Sequence, residues 1–404
     1  MAELALRNKG GAFLKTVIRF SDLFLIELSL AHLIAILNVL GQSGLVSALF
    51  AVSFLFLMVF SFGISRQFTV NLLAMSVICF VNVTICGVTT NENLNFDYFK
   101  KAILFLSFMF FLEFCSIFGN RVAIELIHKI EILSVITGII FVASYFFFGN
   151  TATMTNGEIL LGFANSNAAG MWLLHLIIYG VLFVLQNPKK ARRWLYIPII
   201  MMLVYLLILT GARSTMIALL FWMMLLTLYF LRVKINKKWC FLIAIMPIVY
   251  AIVYMSVITA NWVRELFSFM VSTGKPLTSR VGVWQNALDH FFKHPILGDY
   301  TAVKSYLGQA HNTHLDVLCS YGIIPFLLFL KGLYKALSNV ISQGSSFYQY
   351  AAMTAFWAVI AMGSFEAALV SGSMGLNLLS AGLLVLASSK ETNSIRKSSG
   401  ECCA

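Results

Sequence analysis

Arginine and histidine are the side chains in this sequence whose positions suit chemistry. Arg213 lies in Leu209-Thr210-Gly211-Ala212-Arg213-Ser214-Thr215, a tight break between two apolar runs. Gly211 permits close backbone approach there. An always-charged guanidinium at such a break can anchor at an interface, pair with a carboxylate or bind phosphate. Arg280, in Ser279-Arg280-Val281-Gly282-Val283-Trp284, offers a planar donor fork that suits diphosphate oxygens. The alternative for it is a solvated loop arginine. The run His311-Asn312-Thr313-His314-Leu315-Asp316 is unusually polar for so apolar a chain. Histidine exchanges a proton near neutral pH, so His311 suits a general base. His311 and His314 stand three apart with no third ligand, which argues against a metal site.

Acids inside apolar runs are costly and need a reason. They are Asp22, Glu27, Glu113 and Glu366. Glu366 falls at about the depth of Arg213. It is expected to pair with that arginine or to orient a catalytic group, against the plainer reading of a buried hydrogen bond. Asn165-Ser166-Asn167 is expected to cap a helix, with sugar hydroxyls as the alternative ligand. His32 and His175 read as hydrogen-bonded packing residues. Of the seven cysteines, most sit in apolar stretches and read as small packing residues; Cys402–Cys403 near the C-terminus form an incomplete lipidation signal.

The elements that must position these groups follow from composition. Of 404 residues 60% are hydrophobic and 11% charged, and mean hydropathy is +0.88. No soluble globule of this size could bury so much apolar surface. That excludes a soluble enzyme, a disordered chain and a disulfide-rich module, and leaves an integral membrane protein. Scarce proline (6) and abundant phenylalanine (36) suit helices in lipid rather than barrel strands. The expected fold is all-α, a polytopic membrane helix bundle. Twelve spans are read, at 21–40, 43–64, 67–88, 101–118, 130–148, 166–186, 194–211, 214–231, 240–258, 314–330, 346–369 and 372–389. The organisation is nine spans over 1–258, a loop over 259–313, three spans over 314–389 and a tail over 390–404. The first 20 residues are polar and basic, and no cleavable signal is visible.

With the N-terminus in the cytoplasm, cytoplasmic segments hold 20 of the 28 basic residues. This follows the positive-inside rule, puts both termini in the cytoplasm and explains the net charge of +12 without nucleic acid. The long loop 259–313 then lies outside. Two amphipathic pieces, Asn261–Val271 and Arg280–Phe292, are read within it. In the second, Trp284, Leu288 and Phe291 recur at helical spacing, with Arg280 one turn before Trp284. A Pro-Ile-Leu-Gly turn at 295–298 follows. The loop reads as a folded cap on the outer leaflet.

The order Arg213, then Arg280-x-x-x-Trp284, then His294-Pro295-Ile296-Leu297-Gly298, then His311-Asn312-x-x-Leu315 and Tyr321-Gly322-Ile323-Ile324 resembles the bacterial O-antigen ligase and Wzy-type polysaccharide polymerase superfamily. The motifs cover roughly 205–330; elsewhere the likeness rests on the twelve-span plan and the large outer loop. The resemblance implies transfer of a glycan from undecaprenyl diphosphate to an acceptor at the periplasmic face of the bacterial cytoplasmic (inner) membrane. It implies that Arg213 and Arg280 grip the donor diphosphate and that His311 deprotonates the acceptor hydroxyl. Asn312, Trp284, His314 and Glu366 are expected to line the substrate site. No cofactor or metal is implied. The implied partners are the lipid-linked donor, a glycan or lipid A-core acceptor and membrane lipid, acting either alone or with a chain-length regulator. Pro325 departs from the ligase pattern, and the stretch from Arg280 to His311 is short for recognising lipid A-core. Both features favour a polymerase over a ligase.

Two other classes remain. A transporter of lipid-linked oligosaccharides would place its ionisable residues near the midplane, at the interface of two repeats. A non-catalytic assembly subunit would leave Arg213, Arg280 and His311 apart in space.

Overall fold

The computed structural model describes residues 96–148, 157–163, 165–186, 191–232, 235–258, 279–299, 310–341, 346–366, 369 and 374–388, with parts of 22–37 and 73–84. Spans 43–64 and most of 67–88, the piece Asn261–Val271, the tail 390–404 with Cys402–Cys403, Cys86 and Glu27 lie outside the described residues. Regular structure among the described residues is helical, with no strand. We number the helices α1 (Phe24–Leu37), α2 (Phe96–Phe148), α3 (Ser166–Gln186), α4 (Ala191–Trp194), α5 (Ile197–Leu209) and α6 (Arg213–Phe230). They continue as α7 (Lys237–Ile258), α8 (Ser279–Lys293), α9 (Thr313–Tyr321), α10 (Ile323–Ile341), α11 (Phe347–Met362) and α12 (Met374–Ala387).

Five stretches are long and apolar enough to cross a membrane: Ile127–Phe147, α3, α6, Lys237–Val257 and α10. α5, α11 and α12 are apolar but shorter than the runs read as spans, with 13, 16 and 14 residues. Each covers about 20–24 Å of a hydrocarbon layer about 30 Å thick.

α2 is not one straight rod. Asn377 of α12 donates to Leu104 O, Cys115 donates to Ala381 O, and Ile130 packs beside Gly382. In a straight helix Leu104 and Ile130 would stand roughly 39 Å apart, whereas Asn377–Gly382 covers only about 8 Å. α2 therefore doubles back between Cys115 and Ile130. Its two limbs flank α12 and match the apolar runs 101–118 and 130–148.

α3 and α11 form the centre. From Gln349 to Met362 every residue of α11 is buried. Its partners hold it through main-chain carbonyls: Trp222 Nε1 donates to Ala351 O, and Tyr350 donates to Leu225 O. A capping box between Ser346 and Gln349 starts it. α5 runs antiparallel to α3, with Gly180 against Tyr196 and Ile200, and Gly170 against Ala212 and Thr215. Met201, Ile208, Leu220 and Met223 expose their side chains on the outer faces of α5 and α6. Such a surface is costly in water and costs nothing in lipid. His32 bonds Thr137 and Ser134, and His175 bonds Met171 O and Ser380, so both are packing residues. The described cysteines are free and buried.

The run 314–330 is not a single span. α9 has nine residues and ends at Gly322, whose φ is 83°. Gly298 and Gly322 meet face to face, and a Cβ on Gly322 would strike the Ile296 carbonyl. Asp299 N donates to Cys319 O, and Ile323 N donates to Pro295 O. The turn after α8 thus seats against the α9–α10 joint, and the chain changes direction there.

Candidate functional site

α9 sets one wall of the site, and its start is fully determined. Asn312 is extended, and its Oδ1 accepts from His314 N and Leu315 N. Thr313 N donates to Gly363 O, and Asp316 N to Asn312 O. All of the leading N–H groups, the usual orphans of a helix start, have acceptors. The N-terminus of α9 is therefore not available to an anion.

The Asn312 amide also donates to Pro247 O and Ser364 O, tying α9 to α7 and to the segment after α11. Pro247 lacks an N–H and weakens the α7 ladder at this level. Two nearby α7 carbonyls, Pro247 O and Ala244 O, face α9 and take Asn312 and His314 Nε2. Thr313 Oγ1 donates to Glu366 O. Ser364, Phe365 and Glu366 are thereby pinned over the start of α9.

Glu366 joins the site. Its Oε2 lies 3.0 Å from His311 Nδ1, and its Oε1 accepts from Arg280 Nη2 at 3.0 Å and from Asn167 Nδ2 at 2.9 Å. Arg280 Nη1 also donates to Phe365 O at 2.6 Å. The Glu366 side chain is 5% exposed, whereas those of Arg280 and His311 are 32% and 28% exposed. A buried carboxylate thus gathers an amide from α3, a guanidinium from α8 and an imidazole from the approach to α9. Desolvation of that carboxylate is offset by these charge-assisted bonds. His311 has φ 50°, a left-handed conformation uncommon outside glycine and found disproportionately at functional sites. Nδ1 is directed at the carboxylate, and Nε2 is the other ring nitrogen able to exchange a proton.

The structure thus brings Arg280, His311 and Glu366 together. It corrects the expected partner of Glu366, which is Arg280 rather than Arg213. Arg213 is exposed and makes no hydrogen bond or ion pair among the described residues. Its turn nevertheless lies at the same end of α3: Gly170, one helical turn after Asn167, packs on Ala212 and Thr215. Ser166, next to Asn167, donates to Glu158, whose carboxylate backs onto Gly211. Asn165 is the cap expected there, accepting from Ala168 N.

Trp284, Asn312 and His314 are buried and bond main-chain carbonyls; Trp284 Nε1 donates to Ala310 O. They fix the walls of the site. Sequence reasoning missed Asn167 as a partner of Glu366. It also missed an aromatic group beside Arg280, formed by Tyr250, Tyr254, Trp284 and Phe365. The i, i+4 pair of tyrosines in α7 was the available signal. Among the described residues no three His, Cys, Asp or Glu side chains group as a metal site.

No family model matches this chain, and neither does any curated protein or solved structure.

Proposed function

We propose that the protein transfers a glycan from a polyprenyl diphosphate, of the undecaprenyl type, to a sugar hydroxyl at the outer face of the bacterial cytoplasmic membrane. The favoured outcome is polymerisation of O-antigen or capsular repeat units. The observation that carries this reading is the single buried carboxylate, Glu366, that holds Arg280 and His311 side by side at one end of the bundle. Two N–H donors of Arg280 are used inside the protein, and the rest of its fork can take phosphate oxygens. His311 Nε2 accepts the proton of the acceptor hydroxyl. The hydroxyl oxygen then bonds the anomeric carbon, the carbon–oxygen bond to the donor breaks, and the lipid diphosphate leaves with the electron pair. Neutralising charge and orienting two chains supply most of the assistance such a leaving group needs. Arg213, on the first turn of α6, completes the phosphate grip, at a helix end that itself favours anions.

Sidedness is supported by the described basic residues. Arg192, Arg193, Arg232, Lys237 and Lys238 gather at the ends of α3, α6 and α7 remote from His311. By the positive-inside rule that end faces the cytoplasm and the site faces outward.

The test is the surface glycan of the native strain carrying His311→Ala, Arg280→Lys or Arg213→Lys. A single repeat left on core supports a polymerase. Polymer retained on the lipid carrier with bare core supports a ligase. Unchanged glycan at normal expression overturns the proposal.

A further inference from the structure

We infer that Tyr250 belongs to the diphosphate subsite, its hydroxyl donating to a phosphate oxygen beside Arg280. The inference rests on the proposed function and extends it to a residue of α7. Tyr250 is half-buried, and Phe365 links its ring to the Arg280 guanidinium. The ring is held on several sides. Phe365, whose carbonyl binds Arg280, lies 4.7 Å away between ring centroids; Tyr254 stacks at 5.6 Å, and Trp284 meets it edge-on at 6.2 Å. Those neighbours hold the ring in place. Its hydroxyl makes no hydrogen bond among the described residues. A rigid ring carrying an unbonded donor next to a partly engaged arginine suits an anion. The donor is already oriented and loses little entropy on binding.

The experiment titrates purified full-length protein in detergent with inorganic pyrophosphate by calorimetry, comparing wild type, Tyr250→Phe and Arg280→Gln. Tyr250→Phe keeps the ring and its packing, so its thermal unfolding matches wild type while pyrophosphate binding weakens about tenfold. Arg280→Gln abolishes measurable binding. Wild-type binding with unchanged affinity in Tyr250→Phe overturns the role of Tyr250 and leaves the function proposal standing. Failure of the wild type to bind pyrophosphate overturns both the subsite and the diphosphate reading.

Discussion

His311 and Glu366 meet at 3.0 Å, and in the proposed reaction the imidazole takes the proton while the carboxylate aims it. Replacing His311 with Ala removes the proton acceptor and is expected to lower glycan transfer by roughly 10²–10⁴-fold, measured as polymer formed by purified protein. Glu366→Gln keeps the shape but removes the charge that holds both Arg280 and the imidazole. It is expected to lower transfer by about a hundredfold, with the protein still folded. Asn312 separates two roles. As a support it caps α9 and ties two carbonyls, so Asn312→Ala is expected to destabilise the fold by about 1–2 kcal/mol in thermal unfolding. Affinity for the acceptor should be unchanged in molecules that remain folded. A loss of affinity at unchanged stability would instead make Asn312 a contact to the substrate.

At the scale of elements, α8 was legible in the sequence and α9 was not. Trp284, Leu288 and Phe291 recur at helical spacing, and the structure has a helix at Ser279–Lys293 with Arg280 facing the site. The joint at Gly322 was hidden because the apolar run continues through it. A lone glycine does not announce a break; the break comes from Gly298 and the Ile296 carbonyl, which occupy the space a side chain would need. Gly322→Ala is therefore expected to lower stability by about 3 kcal/mol and to disturb the site wall. Gly282, in α8, is the control. Nothing lies within 4 Å of a Cβ placed there, so Gly282→Ala is expected to leave stability unchanged or raise it by about 0.5–1 kcal/mol. Thermal unfolding in detergent distinguishes the two. The partner of Glu366 was also hidden, since 86 residues separate it from Arg280 and no periodicity connects them.

For the whole molecule, composition alone announced an all-helical, membrane-suited chain. Charge placement gives an expected orientation, with the site outside, and labelling from one side tests it. Gln285 on α8 is exposed at the end of the bundle near Arg280, and Arg232 is exposed at the other. In intact spheroplasts Gln285→Cys should react with a membrane-impermeant maleimide and Arg232→Cys should not; the reverse pattern would turn the site inward. The short lengths of α5, α11 and α12 could not be read from hydropathy, because an apolar run records what tolerates lipid and not where helical hydrogen bonding stops.

Glu366 follows α11, whereas Arg280 and His311 precede it. During synthesis, the base and the guanidinium emerge from the ribosome before the carboxylate that unites them exists. A nascent chain halted anywhere before α11 carries Arg280 and His311 without the carboxylate that joins them. In the proposed reaction such a fragment lacks the group that sets the guanidinium and the imidazole side by side.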